Sequence, residues 1–338
     1  MTGFQLSDLT APVIVAPMAG GPSTPELAAA ASNAGALGFL AAGYLTAEVL
    51  GDRLTAARRL TTGPLGVNLF VPGPSAALPG AVEGYAKSLA DEAERYDVQL
   101  GEPRFDDDAW AAKLEVVLDL RPDVVSFTFG LPSSEECARL RGEGIYPIAT
   151  VTTLREAEQA VACGVRALVA QGPSAGGHRG TFDPVAEPAT QPLDQLLHAV
   201  SVGTHLPVIA AGGLMTAADV ADVLASGAVA AQLGTAFLLA DEAGSSPVHR
   251  AALTGGQFTE TAVTKAFSGR YARGLRNRFI DDHDASAPFG YPEVHYLTSP
   301  LRAASVRAGD PQATNIWAGT GFQQARSGSV AELIAALT

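Results

Sequence analysis

Eight short apolar runs, separated by stretches with helical patterning, constrain the fold of this chain more than any other feature. Most of the runs lack polar alternation and are bounded by turn residues, which is typical of strands buried on both faces. The runs are Val13–Pro17, Leu37–Ala41, Leu65–Phe70, Val124–Phe129, Tyr146–Val151, Ala167–Gln171, Val208–Ala211 and Ala230–Gly234. Eight strand–helix repeats predict an α/β fold, a (β/α)8 TIM barrel, with a doubly wound open sheet as the alternative.

Helix-start signals support this interpretation. A Thr or Ser stands at the expected N-cap position before five of the predicted helices. These caps are Thr24, Thr46, Ser133, Thr153 and Thr216, before helices predicted over Pro25–Ala34, Ala47–Leu60, Ser134–Arg141, Leu154–Cys163 and Ala217–Ala225. Glu156 follows Thr153 by three residues, which predicts a capping box at that helix.

Three intervals are longer than a simple repeat requires: 71–121, 172–207 and 236–300. The last of them has a helical pattern of its own. We therefore predict a barrel domain from residues 1–236 and 301–338, with a small, mainly helical cap over residues 237–300 after the eighth strand. Long loops in barrels usually follow the C-terminal strand ends, where active sites lie.

Composition excludes several classes of protein. The formal net charge of −13 argues against nucleic-acid binding, and two cysteines in 338 residues build no disulfide framework. No basic region precedes the apolar N-terminal stretch, and no apolar segment is long enough to span a bilayer without interruption. No pair of histidines or cysteines has metal-ligand spacing. We therefore expect a cytoplasmic monomer or homodimer without metal, membrane or nucleic-acid partners.

Glycines cluster at the predicted C-terminal ends of the last three strands. The motifs are QGPSAGGHRG at 171–180, AAGGL at 210–214 and QLGTAF at 232–237. Glycine lets backbone N–H groups approach a ligand closely, and the loops after the last two barrel strands commonly bind phosphate. The phosphate candidates are therefore Gly212, Gly213, Gly234 and Thr235.

His178 is the histidine that best fits a chemical role, because the glycines before it leave space around its ring. Imidazole titrates near neutral pH and suits proton transfer or anion binding. The structural alternative is a ring that packs at the barrel rim and donates to a backbone carbonyl. His249 and His283 are expected at the surface of the cap, and His295 lies near aromatic residues that could line a pocket.

These motifs carry a specific resemblance. APMAGG, GVNLF, QGPSAGGHRG, AAGGL, QLGTAF, SGRYARGLRN and WAGTG occur in order between Ala16 and Gly321. Together with YPEVHYLTSP, they resemble the bacterial class of the nitronate monooxygenase family, also called 2-nitropropane dioxygenase. The resemblance implies a barrel that binds FMN without a covalent link and oxidises alkyl nitronates, such as propionate 3-nitronate, with O2.

The resemblance also implies roles for individual residues. Pro17 and Met18 would lie against the isoalloxazine ring, and Asn68 and Gln171 would bond to the ring or the ribityl chain. His178 would bind the nitronate or take the α-proton of a neutral nitroalkane. The full set of expected cofactor-binding residues is Pro17, Met18, Asn68, Gln171, Gly176, Gly177, Gly212, Gly213, Gln232, Leu233, Gly234 and Thr235. The expected substrate-binding residues of this anionic small molecule are Arg270, Tyr291, His295 and Tyr296.

Two positions depart from the family pattern. Thr128 stands where many bacterial members carry histidine, and His295 stands where asparagine is frequent. Three alternatives stay open: a flavin-dependent enoyl-acyl-carrier-protein reductase, an accessory flavin oxidoreductase with a larger substrate, and a non-catalytic flavin-binding scaffold.

Overall fold

The computed structural model describes residues 4–338 and contains a closed barrel of eight parallel strands. The barrel strands are β1 (Val13–Val15), β2 (Leu37–Ala41), β3 (Leu65–Phe70), β4 (Val124–Thr128), β5 (Tyr146–Val151), β6 (Ala167–Gln171), β8 (Val208–Ala211) and β9 (Ala230–Leu233). Strand β1 closes the barrel, because Ile14 pairs with Leu37 of β2 on one side and with Gln232 of β9 on the other. The TIM-barrel prediction is confirmed, and every barrel strand lies within one of the eight apolar runs.

Thirteen α-helices lie in the described part of the chain. They are α1 (Pro25–Asn33), α2 (Ala47–Leu60), α3 (Ala81–Ser88), α4 (Ala90–Arg95), α5 (Trp110–Leu120), α6 (Ser134–Gly142), α7 (Leu154–Cys163), α8 (Leu193–Thr204), α9 (Ala217–Ala225), α10 (Pro247–Thr254), α11 (Arg278–His283), α12 (Glu293–Arg307) and α13 (Val330–Ala335). None of the helices within residues 4–338 is long and apolar enough to cross a membrane.

The predicted N-caps are confirmed, whereas one predicted capping box is wrong. The side chains of all five predicted caps accept a backbone N–H of the first helical turn. At α7, the Glu156 carboxylate does not return to the cap residue Thr153. Instead it accepts from the backbone N–H and the hydroxyl of Thr152, and its other oxygen accepts from the Phe182 N–H at 2.9 Å. Glu156 therefore holds the loop after β6.

Alternation along the strands gives the barrel interior an apolar base and a polar mouth. Side chains one residue apart on a strand point to opposite faces, so alternate positions line the interior. Ile14, Phe39 and Val169 belong to one buried interior cluster. The next interior position towards the C-terminal end is polar on several strands, as at Asn68 of β3 and Gln171 of β6. Polar side chains therefore face the mouth of the barrel.

The segment 237–300 contains strands as well as helices. Strands β10 (Thr261–Thr264) and β11 (Ala272–Leu275) form an antiparallel hairpin, and β11 also pairs with β7 (Gly177–His178) in the loop after β6. We predicted a mainly helical segment, and that prediction did not include this sheet. Helix α12 also continues beyond residue 300, the expected end of the segment. The hairpin matters for the site because it holds the strand that carries His178.

Candidate active site at the C-terminal mouth of the barrel

Hydrogen bonds among polar side chains fix the floor of the barrel mouth. Asn68 is 2% exposed, and its Nδ2 donates to the hydroxyls of Ser126 at 2.9 Å and Thr128 at 3.0 Å. Both acceptors lie on the neighbouring strand β4. Thr128 therefore orients the Asn68 amide, which leaves the Asn68 Oδ1 as the group available to a ligand.

Gln171, at the end of β6, holds the loop that follows it. Its Nε2 donates to the His178 carbonyl at 3.1 Å, and its Oε1 accepts from the Gly180 N–H at 2.9 Å. The Arg179 guanidinium is almost fully buried and donates to the carbonyls of Gly172 and Gln171. The sequence predicts that the Gln171 amide contacts a cofactor. In the structure, one donor and one acceptor of this amide instead hold the loop that positions His178.

Strand pairing and one hydroxyl orient the His178 side chain. His178 pairs with Ala272 of β11, and its Nε2 lies 2.9 Å from the Ser268 Oγ. The same Ser268 hydroxyl donates to the Arg270 carbonyl at 3.1 Å. A hydroxyl has one hydrogen, so Ser268 accepts from His178, which assigns the proton to Nε2 and leaves Nδ1 as a free acceptor.

His178 is neutral in this environment. Burial lowers the pKa of its imidazole to about 3, and the positive charges of Arg270 and Arg302 also lower it. The aromatic rings of Phe129, Tyr291 and Trp317 surround it, with centroids 5.6, 5.7 and 5.6 Å from that of the imidazole. A neutral ring with a free Nδ1 is suited to accept a proton and cannot supply a resting positive charge.

Glycines at the strand ends allow three backbone segments to meet. A Cβ on Gly176 would lie 2.5 Å from the backbone of Ala318 and Gly319, and one on Gly213 would lie 2.7 Å from the Ser174 Cβ. The Thr235 Oγ1 accepts from the Gly319 N–H at 2.9 Å. The WAGTG segment at 317–321 thus joins the predicted glycine cluster, and Gly319 is a residue that the cofactor prediction omitted.

The other expected cofactor residues lie at the same end of the barrel, but the side chain of one of them, Leu233, points into the core. Pro17 and Met18 follow β1, and the Met18 N–H donates to the Ser23 Oγ at 2.9 Å. Gly212 has a φ of 110° immediately after β8, while Gln232 and Gly234 stand at the end of β9 and directly after it. Leu233 is buried in the core cluster that packs helices against the barrel. Its side chain therefore packs in the fold, and only its backbone remains for a ligand.

Three of the four expected substrate-binding residues border one cavity of about 610 Å³, a volume that includes space open to solvent. Arg270, Tyr291 and Tyr296 line it. The Arg270 guanidinium stacks 4.1 Å from the centroid of the Phe129 ring, donates to the Thr181 carbonyl and has no hydrogen-bond partner at Nε. Burial lowers the Arg270 pKa to about 10, so the residue stays cationic at neutral pH.

His295 lies behind the cavity wall. Its ring stacks on that of Tyr44, with centroids 4.0 Å apart and planes 2° from parallel, and Tyr44 lines the cavity. The Arg302 guanidinium donates to the His295 Nδ1 at 3.2 Å. Burial holds the His295 pKa well below its usual range, with Arg302 adding to the effect. His295 thus supports Tyr44 instead of lining the cavity itself.

His249 is partly buried and contacts the segment that carries Trp317. The prediction that it lies at the surface of the cap is therefore wrong. Its Nε2 lies 3.1 Å from the Trp317 carbonyl, and burial lowers its pKa to about 4. Between pH 7 and pH 5 the unfolded chain binds a proton at this residue that the native protein does not. Acidification across this range therefore lowers the free energy of unfolding.

In the wild type, His249 should lower the free energy of unfolding by about 2 kcal/mol when the pH falls from 7 to 5. We expect His249→Gln to lack this decrease, because the Gln amide can donate to the Trp317 carbonyl without titrating. Urea unfolding of both proteins at the two pH values measures this difference. Between pH 7 and pH 8 the variant and the wild type should show nearly equal changes. Parallel pH dependence from 7 to 5 would contradict the assignment.

Comparison with known proteins identifies the family of this chain. The sequence model of the Nitronate monooxygenase family matches residues 5–338. A nitronate monooxygenase from Paraburkholderia phytofirmans is 40% identical over 341 residues, 99% of this chain and 93% of that protein. The crystal structure of nitroalkane oxidase from Streptomyces ansochromogenes has a TM-score of 0.94 at 47% identity, covering 98% of this chain and 96% of that one. A mutant of FabK from Thermotoga maritima has a TM-score of 0.72 at 25% identity, covering 98% and 93%.

The fold, the site and these similarities define an oxidoreductase enzyme built on a TIM barrel. The family match includes both the barrel and the hairpin that holds His178. The chain belongs to the nitronate monooxygenase family.

Proposed function

We propose that this protein catalyses the FMN-dependent oxidation of alkyl nitronates, such as propionate 3-nitronate, by O2. The observation that carries the proposal is that a neutral, oriented His178 and the buried cation Arg270 lie near each other at the mouth of the barrel. A nitronate is a planar anion, and a buried cation without a carboxylate partner favours such a ligand. Among the described residues, no acidic side chain forms a salt bridge with Arg270.

The residues at the mouth fit FMN. The close approach of Gly176 and Gly213 to neighbouring segments leaves no room for a Cβ, and such glycine-rich loops after the last barrel strands suit a phosphate. We propose that Gly213, Gly234, Thr235 and Gly319 hold the phosphate, and that Pro17, Met18 and Asn68 contact the ring system. FMN bound there would supply the electron transfer from nitronate to O2.

The remaining chemistry belongs to the side chains. Arg270 would bind an oxygen of the nitronate through its guanidinium and hold the substrate beside His178. The Nδ1 of His178 would accept the α-proton when the substrate arrives as a neutral nitroalkane. Phe129, Tyr291 and Trp317 would exclude water from around the imidazole. As sequence predictions, the cytoplasmic location and the monomeric or homodimeric state accompany this proposal.

Oxygen consumption by purified, FMN-loaded protein tests the proposed function. We expect rapid O2 uptake with propionate 3-nitronate and no comparable uptake with NADH alone. Absence of uptake with the nitronate, together with NADH oxidation after addition of an enoyl thioester, would instead establish the reductase alternative. A protein that cannot be loaded with FMN would overturn the cofactor assignment.

A further inference from the structure

The cavity beside His178 has an aromatic wall. Seven of its 17 lining residues are Phe or Tyr, whereas aromatic residues make up 7% of the chain. The rings include Phe70, Phe105, Phe129 and Phe182, which come from four different loops or strand ends. Apart from these, prolines line much of the remaining wall. Such enrichment from separate segments indicates a surface for a flat apolar group.

This cavity is separate from the expected cofactor contacts. None of the twelve residues assigned to FMN lines it. A group bound in this cavity would therefore contact side chains other than the expected cofactor residues.

Charged side chains of both signs line the cavity. Arg270 is 5% exposed, stacks on Phe129 and forms no salt bridge with the described residues, so its positive charge favours an anion beside it. The loop before α5 contributes Asp106, Asp107 and Asp108 to the cavity wall. Asp108 is neutralised by the Lys113 Nζ at 2.6 Å. Together, the Arg270 guanidinium and the aromatic rings of the wall favour a ligand that has an anionic group and an apolar body.

We propose that the substrate is a nitronate that carries an aromatic group, with the nitronate at Arg270 and His178 and the aryl ring in the aromatic cavity. This inference rests on the proposed function and specifies its substrate class. Offset and edge-to-face packing of an aryl ring against Phe129, Phe182 and Phe105 would favour it over a saturated ring of similar size. An alkyl nitronate would react without filling this cavity.

Kinetic preference between nitronates and the binding of carboxylate analogues test the inference together. We expect kcat/KM for the nitronate of phenylnitromethane to exceed that for ethyl nitronate at least tenfold in O2-uptake assays. By calorimetry on FMN-loaded protein, phenylacetate should bind at least tenfold more tightly than acetate and at least threefold more tightly than cyclohexylacetate. Equal or weaker binding of phenylacetate relative to cyclohexylacetate would overturn the inference, as would a preference for ethyl nitronate.

A matched pair of variants locates the aryl site. Phe105 is 51% exposed and lines the cavity, so Phe105→Ala should weaken phenylacetate binding at least fivefold without disturbing the core. Leu78 is an exposed apolar residue that does not line the cavity, and Leu78→Ala should change this Kd by less than twofold. Equal effects of the two substitutions would contradict the assignment.

The calorimetry separates this inference from the proposed function. If phenylacetate binds selectively but no nitronate supports O2 uptake, the cavity assignment stands and the oxidation of nitronates fails. If ethyl nitronate is oxidised but the aryl compounds show no advantage in rate or binding, the proposed function stands and the aryl inference fails.

Discussion

His178→Ala is expected to lower kcat/KM for nitroalkane oxidation by about 10²- to 10⁴-fold, or about 3–5 kcal/mol of transition-state stabilisation. The substitution removes the Nδ1 that is left as an acceptor and the Nε2–H that donates to the Ser268 hydroxyl. Within residues 4–338, His295 is the other histidine beside the cavity wall, and it cannot replace His178 because its ring is stacked on Tyr44 and its Nδ1 already accepts from Arg302. Oxygen-uptake kinetics with neutral nitroethane, whose α-proton must be removed, measure this loss directly.

Two further measurements distinguish a catalytic role of His178 from a structural one. FMN content should stay unchanged in His178→Ala, because the side chain lies outside the glycine cluster. His198→Ala, at an exposed position of α8, should keep wild-type kinetics and serves as the matched histidine control. A decrease of less than threefold in His178→Ala would contradict the assignment.

Gly176→Ala has the second large expected effect, a weakening of FMN binding by at least about 100-fold. The added Cβ would lie 2.5 Å from the backbone of Ala318 and Gly319, and backbone cannot turn aside as a flexible side chain can. The loop after β6 and the segment 317–321 must therefore separate, which pulls Gly319 away from Thr235. A loss of this size corresponds to about 3 kcal/mol of binding free energy. Fluorescence titration of the apoprotein with FMN measures it.

Controls for Gly176→Ala come from the same chain. Gly84, in α3, has no heavy atom within 4 Å of an added Cβ, so Gly84→Ala should bind FMN as the wild type does. Thr235→Val removes the hydroxyl that accepts from Gly319 and should weaken binding by about tenfold, the worth of one hydrogen bond. Binding by Gly176→Ala within threefold of wild type would show that the phosphate lies elsewhere.

Sequence patterns predicted the barrel well because buried parallel strands need apolar residues at nearly every position. Strand β5, for example, is buried along all of Tyr146–Val151 and could be recognised without knowledge of its neighbours. The hairpin β10–β11 could not be recognised in this way. Its strands have four residues each, and Ala272 pairs with a residue 94 positions earlier in the chain, His178. Such long-range pairing leaves no local periodicity.

The same contrast applies to the site. Glycine motifs at strand ends predicted a phosphate site; the structure brings these glycines to the same end of the barrel, and the phosphate itself stays a prediction. Ser268 carries no such signal, because its importance depends on a 2.9 Å contact with a residue 90 positions away. Likewise, the Gln171 amide could not be distinguished from a cofactor ligand until its two bonds to the His178 loop were known.

The sheet that joins β7 to β11 makes the candidate active site a composite of two parts of the chain. The barrel supplies His178 and Gln171, while the excursion after β9 supplies Ser268 and Arg270. Chimeras that exchange residues 237–300 between relatives would thus exchange the Arg270 cation together with the Ser268 hydroxyl that orients His178, while His178 itself would stay with the barrel. The glycine cluster at the ends of β6, β8 and β9 would remain unchanged, so we expect such chimeras to keep the parental affinity for the proposed cofactor while their substrate preference changes.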